Sequence, residues 1–293
     1  MRRSMLFVPG NSPAMLLNAD IHQADAIILD LEDAVSPTEK DAARILVRNA
    51  VSALHYYGTE VIVRVNPLDS GYTRDDLEAV VPLGPSLIMP TKVAGADDIR
   101  AIAAMMTEIE RAHGQEDGTV GLMPLLETAE GVLNAYSIAK ADKRVKALFL
   151  GAEDLTSDLQ AVRSKASQEI NYARGHIVMA ARAAGVDVYD TPFTDVNDDE
   201  GMETDAQFAR SLGFTGKSAI SPRHVATINN VFSPSLKDID YAREVMAVIE
   251  EAKRLGKGAI SLRGKMVDKP IVDRARRVLE AAEALGLGGT RRE

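Results

Sequence analysis

Val120-Gly121-Leu122-Met123-Pro124-Leu125-Leu126-Glu127 and Ala147-Leu148-Phe149-Leu150-Gly151-Ala152-Glu153-Asp154 are two short apolar runs, each ending in an acid. Apolar runs of this length fit strands buried on both faces of a parallel sheet. A third, Val61-Ile62-Val63-Arg64-Val65-Asn66, carries a cation instead. Buried strands rarely finish in isolated charges unless those charges meet something. Two acids and an arginine can together hold a divalent cation and an anionic substrate.

Working outward, similar runs recur at 4–8, 25–31, 60–65, 86–90, 119–126, 146–151, 186–190 and 217–220. Amphipathic stretches lie between and after them, near 13–22, 37–55, 74–81, 96–112, 129–140, 167–184, 199–212 and 222–230. About eight strand-helix units predict an α/β fold with a parallel sheet, and the count favours a (β/α)8 TIM barrel with a C-terminal helical appendage. Ser36-Pro37-Thr38-Glu39 reads as a capping box, Ser12-Pro13 and Ser221-Pro222 as serine-then-proline helix starts, and Gly185 and Gly213 as helix ends. The expected division is a catalytic barrel over 1–231 and a helical extension over 232–293, with helices near 236–254 and 270–285. So small a piece is expected to pack on its own barrel or on a neighbouring subunit. Gly286-Leu287-Gly288-Gly289 reads as a frayed terminus.

Thirty-four Lys and Arg stand against 43 acids in 293 residues, a net charge of −9 with no long basic block, so nucleic acid is not an expected partner. There is no cysteine, which removes disulfides, thiolate metal sites and cysteine nucleophiles and agrees with a reducing, cytoplasmic setting. The apolar stretch that opens the chain is too short for a secretory signal, and no stretch is long enough to cross a membrane.

In a barrel the active site gathers at the C-terminal ends of the strands. The runs deliver Asp30, Glu32 and Asp33, then Arg64 and Asn66, Lys92, Glu127, Glu153 and Asp154, Asp190, Ser218 and Ser221. Glu127 and Asp154 offer hard oxygens suited to Mg²⁺; each alone reads equally well in service of a helix cap, Glu127 before Thr128 and Asp154 as the cap itself. Arg64 is either a fork for a carboxylate or half of a structural ion pair. Lys92 and Lys217 would need a lowered pKa to form a Schiff base. The acids of Asp30-Leu31-Glu32-Asp33 either orient substrate or cap the following helix. His22, His55, His113, His176 and His224 show no zinc spacing, and no serine-hydrolase elbow, phosphate loop or dinucleotide fingerprint is present. Asp268, just before Pro270, is either a helix N-cap or a carboxylate delivered by a lid.

Taken in order, Arg2-Arg3-Ser4-Met5-Leu6-Phe7-Val8-Pro9-Gly10, Leu29-Asp30-Leu31-Glu32-Asp33-Ala34-Val35, Arg64-Val65-Asn66, Leu126-Glu127-Thr128, Gly151-Ala152-Glu153-Asp154 and Gly264-Lys265-Met266-Val267-Asp268 resemble the citrate lyase β-subunit family, within the HpcH/HpaI aldolase-like superfamily. The resemblance runs through nearly the whole chain. It implies a (β/α)8 barrel and a Mg²⁺-dependent lyase that cleaves citryl thioester to oxaloacetate and an acetyl thioester, on acyl carrier protein or coenzyme A. By the same resemblance Glu127 and Asp154 would bind the metal, and Arg64 the keto-acid carboxylate. Asp33, Glu127 and Lys92 would contact substrate, and Asp268 would act as acid or base in a neighbouring subunit's site. Pro90-Thr91-Lys92 departs from the family's Pro-Lys, which puts a thioester contact by Lys92 in doubt, and Arg163 to Ile170 fits loosely. Implied partners are citrate lyase α and γ subunits and further copies of the chain in a trimer or hexamer. Alternatives are a stand-alone malyl-CoA or citramalyl-CoA lyase, a malate-synthase-like enzyme, a pyruvate-dependent class II aldolase, or a non-catalytic scaffold that binds an acyl carrier protein.

Overall fold

The computed structural model describes residues 1–255 and 261–287. The chain divides into two compact units, Arg2–Asn229 and the segment from Asn230 onward. In the first, every expected apolar run forms strand: β1 Ser4–Pro9, β2 Ala26–Asp30, β3 Glu60–Val65, β4 Leu87–Pro90, β5 Gly121–Leu122, β6 Leu125–Leu126, β7 Ala147–Leu150, β8 Asp187–Asp190 and β9 Gly216–Ala219. They make one curled parallel sheet in the order β5-β4-β3-β2-β1-β9-β8-β7-β6. Its two outermost members are neighbours in sequence, separated only by Met123 and Pro124. Pro124 has no N–H to give a ladder, which breaks the 119–126 run into two short strands. On one side of that break Met123 N–H donates to Ile88 O (2.9 Å); on the other, Phe149 N–H donates to Pro124 O (3.0 Å).

Side-chain alternation determines what each face of the sheet carries. Ile28, Ile62, Leu125, Phe149 and Tyr189 belong to one buried apolar cluster. Two residues further along each strand the same face reaches Asp30, Arg64, Glu127, Gly151 and Thr191. The polar layer is therefore the continuation of the core towards the strand ends. The register reinforces it, since Asp30 and Arg64 are paired positions on β2 and β3.

The helices depart from expectation mainly at their starts. Ser36 makes no capping bond: Pro37–Glu39 is a single 3-10 turn, the α-helix begins at Lys40, and the Glu39 carboxylate instead accepts from Asn11 Nδ2 at 2.6 Å. Ser12 also makes no side-chain cap, whereas Ser221 accepts from Arg223 N–H. Gly185 and Gly213 end their helices at φ 78° and 104°, the left-handed conformation that glycine takes without penalty. The 129–140 stretch divides at Asn134 into Ala129–Leu133 and Ala135–Ala139. A further helix, Ala152–Asp158, follows β7 directly.

The second unit holds helices Leu236–Leu255 and Lys269–Ala284 with an antiparallel pair, Ser261–Leu262 against Lys265–Met266. Ala242, Val245, Val267 and Ala275 form an apolar cluster there, with Ile249, Ile271 and Leu279 packed on it, so this small unit does gather a core of its own. Residues 256–260, between the two expected helices, and the Gly288-Gly289 end of the expected frayed terminus lie outside the described residues. Among the described residues no helix is long and apolar enough to cross a membrane.

Candidate active site

The polar layer opens into a cavity of about 330 Å³, lined among others by Phe7, Asp30, Asp33, Arg64, Glu127, Gly151, Glu153, Asp154 and Thr191. Strands β2, β3, β6, β7 and β8 and the loops after them thus bring together Arg64, Glu127, Asp154 and Asp33, four of the residues that the sequence nominates.

Glu127 is buried, with its Oε1 accepting from Lys92 N–H at 2.8 Å. That amide is aimed by a left-handed backbone at Lys92, φ 53°, an uncommon conformation for a residue with a side chain. Burial pushes the Glu127 carboxyl up to about 8; the Lys92 amide opposes this, and Asp154 and Glu32 add to it. Gly151 makes room for the side chain. A Cβ there would stand 2.7 Å from Glu127 Cβ and 2.9 Å from Oε2. Thr128 caps the next helix through Gly131 N–H (3.0 Å), which leaves Glu127 itself free of capping duty.

Asp154 is not the cap of its helix. Gly151 occupies that position without a side chain, and Asp154 sits in the first turn of Ala152–Asp158, where the helix dipole favours a negative charge. Its carboxylate is about a third exposed and lies 3.8 Å from Lys92 Nζ.

Arg64 makes the structural ion pair that its sequence left open. Nε and Nη2 donate to the two oxygens of Asp30 at 2.7 and 2.5 Å, and Nη1 lies 3.2 Å from Glu32. The guanidinium also stacks over Phe7, 5.0 Å from the ring centre. Burial works against its charge, but the bonds to Asp30 outweigh burial and hold the guanidinium above its ordinary pKa. Asp30 anchors the loop rather than capping the following helix: the N–H groups it accepts, of Glu32 (2.8 Å) and Ala34 (3.2 Å), lie ahead of the helix that begins at Lys40.

Glu32, which the sequence offers only as one acid in a cluster, is a hub. It is buried, pairs with Arg64, and takes Lys92 Nζ at 3.4 Å and Asp33 N–H at 2.9 Å. Burial and the Asp33 charge raise its carboxyl, against the pull of Arg64. Asp33 is exposed. For Lys92, partial burial is outweighed by the carboxylates of Glu32, Asp154 and Asp33, which hold its ammonium above the ordinary range. A Schiff-base amine needs the opposite shift. Lys217 is likewise committed elsewhere: wholly buried, its ammonium donates to Asp190 (2.6 Å), Asp205 (2.6 Å) and Thr191 O (2.7 Å). Phe7, Gly151 and Thr191 carry no chemical signal that would single them out in the sequence; their places follow from strand register.

Asp268 belongs to the second unit. There it is exposed and caps Lys269–Ala284, Oδ1 accepting from Ile271 N–H at 3.2 Å. The helix-cap reading of this residue is therefore realised.

Two carboxylates facing one cavity, with the Asp154 charge helping to raise the Glu127 carboxyl, can accept a divalent cation. Among the described residues no group of three or more His, Cys, Asp or Glu forms a metal-binding set, so a cation here would depend on water and substrate oxygens for the rest of its shell.

The HpcH/HpaI aldolase/citrate lyase family matches residues 3–222. The citrate lyase subunit β of Leuconostoc mesenteroides subsp. cremoris is 45% identical over 284 residues, 97% of this chain and 94% of that protein. An L-malyl-CoA/β-methylmalyl-CoA lyase of Cereibacter sphaeroides is 35% identical over 303 aligned residues, covering 97% of this chain and 95% of that protein. The CitE protein of Mycobacterium tuberculosis, solved in complex with magnesium, acetoacetate and coenzyme A, superposes with a TM-score of 0.79 at 29% identity, over 96% of this chain and 98% of that one. With a match across most of its length and relatives covered nearly end to end, the chain belongs to the HpcH/HpaI aldolase/citrate lyase family.

Proposed function

We propose that this chain is a Mg²⁺-dependent carbon-carbon lyase of the citrate lyase β-subunit type, cleaving citryl thioester to oxaloacetate and an acetyl thioester. One observation carries the reading: Glu127, Asp154 and Arg64 converge on a single cavity, in a chain 45% identical to a citrate lyase subunit β. We read the sheet as a closed (β/α)8 barrel, because β5 and β6 are halves of one strand bonded to β4 on one side and to β7 on the other. The segment from Asn230 is then its helical appendage.

The donor set fits Mg²⁺. Glu127 is a buried carboxylate whose ionised form lacks enough compensation, and Asp154 adds a second hard oxygen donor at the same cavity. Glu127 and Asp154 would hold the ion, which when bound supplies a Lewis acid that acidifies the substrate hydroxyl and stabilises the developing ketone. Arg64 would grip the keto-acid carboxylate. Asp30 takes one edge of the guanidinium and Phe7 lies against its face, so the fork is fixed before substrate arrives, which is the source of its orienting power. Lys92 contributes as a standing cation, and Asp33 presents an acceptor to water or a substrate hydroxyl. The bond that breaks joins the hydroxyl-bearing carbon to the methylene beside the thioester. Its electron pair passes to the thioester enolate, and the proton lost from the hydroxyl is matched by one gained at that methylene. Asp268, in its acid form and reaching in from a neighbouring subunit of a trimer or hexamer, is the proposed donor. Acyl carrier protein or coenzyme A would carry the acyl group, citrate lyase α and γ subunits would be the companion chains, and the cytoplasm the setting.

A second reading, a stand-alone malyl-CoA or citramalyl-CoA lyase, is favoured by the 35% identical malyl-CoA lyase relative and uses the same residues. The site is tested by Glu127→Ala and Asp154→Ala. Each is expected to lower cleavage at saturating Mg²⁺ by more than about 100-fold, beyond the loss of a supporting contact. Wild-type rates in either folded variant would refute the metal assignment.

A further inference from the structure

We propose that Thr191 is a positioning residue for Asp154, capping from β8 the helix that carries it. This rests on the reading of Asp154 as a Mg²⁺ ligand. Helix Ala152–Asp158 starts from Gly151, which has no side chain to satisfy the first helical amides. The missing acceptor comes from the next strand exit: Thr191 Oγ1 takes Ala152 N–H at 3.2 Å in a buried setting. Thr191 is itself fixed from behind, since its carbonyl accepts from Lys217 Nζ at 2.7 Å.

Lys217 has three N–H donors, and each has a partner: Thr191 O, Asp190 Oδ2 and Asp205 Oδ2. Asp190 is held in turn by Arg174, through Nε at 2.9 Å and Nη2 at 2.8 Å, and Arg174 Nη2 also reaches Asp205 at 2.8 Å. Two cations and two carboxylates thus lock the exit of β8 from a wholly interior position. This network reaches the cavity along the path from Lys217 through Thr191 to Ala152. Asp154 lies two residues further along the same helical turn, so the position of its carboxylate follows the Ala152 anchor. The buried lysine, which the strand-end pattern offers as a Schiff-base candidate, is in this account the fastening of the metal-binding helix.

The test is Mg²⁺ binding by calorimetry on the full-length protein, comparing wild type, Asp154→Ala, Thr191→Val and Thr191→Ser, together with hydrogen exchange at the Ala152 amide. Thr191→Val keeps the volume and removes the acceptor. It is expected to raise the Kd for Mg²⁺ by about 10-fold, in the range for loss of a supporting contact, and to speed exchange at Ala152. Thr191→Ser retains the hydroxyl and is expected to restore both. Wild-type affinity in Thr191→Val, or an equal loss in Thr191→Ser, would overturn the positioning role while leaving the metal site standing. Unchanged binding in Asp154→Ala would instead overturn the metal site, and the positioning role with it.

Discussion

At the scale of single residues, Glu127 is the most strongly perturbed acid of the cavity. Its carboxyl is pushed up to about 8 by burial, with Asp154 and Glu32 adding to the effect, from an ordinary value of 4.5. A raised acid favours the folded state fully only below pH 4.5, and that contribution is lost as pH rises through about 8. Metal-free protein should therefore lose thermal stability across this window, and Glu127→Gln should flatten the dependence. Mg²⁺ should recover stability in the wild type and release protons on binding near neutral pH, read as heats that vary with buffer. A melting profile identical in wild type and Glu127→Gln, with or without Mg²⁺, would contradict this. The acids and Arg64 were legible in the sequence because charge at the end of an apolar run is conspicuous. What surrounds them was not: Gly151 gives Glu127 its space, Phe7 lies under Arg64, and Lys92 turns left-handed to offer its amide. None of these is visible until strand register places residues from separate runs side by side.

At the scale of elements, apolar runs predicted the strands well because a strand buried on both faces must be apolar throughout. Helix starts were read less well, because local motifs compete with distant partners. Glu39, set three residues after Ser36 as a capping box requires, turns to Asn11 instead, and the helix Ala152–Asp158 begins at a glycine whose missing cap comes from another strand. Asp268 is a helix cap for which a second, catalytic role is proposed. It caps Lys269–Ala284, and asparagine caps nearly as well as aspartate. Asp268→Asn should accordingly leave the melting temperature close to wild type while reducing turnover by about 10²- to 10⁴-fold, the usual worth of a general acid or base. Unchanged turnover would return Asp268 to an ordinary cap.

At the scale of the whole molecule, the cavity belongs to the first unit, and the second carries Asp268, proposed to act in a neighbouring copy. Charge fits the same picture. A chain of net −9 has little general attraction for anions, so Arg64 and Lys92 must act locally, each already leaning on acids that keep it charged. The substrate's identity is the part least written in the fold, because malyl, citramalyl and citryl thioesters share the hydroxyl, the carboxylate and the thioester that these residues are proposed to address. The most direct measurement is therefore a side-by-side assay of citryl, malyl and citramalyl thioesters, on acyl carrier protein and on coenzyme A, with Mg²⁺ and with the metal chelated. Cleavage is expected to require Mg²⁺ and to be fastest on a citryl thioester, with oxaloacetate as product. Cleavage undiminished by chelation, or no cleavage of any of the three, would contradict it.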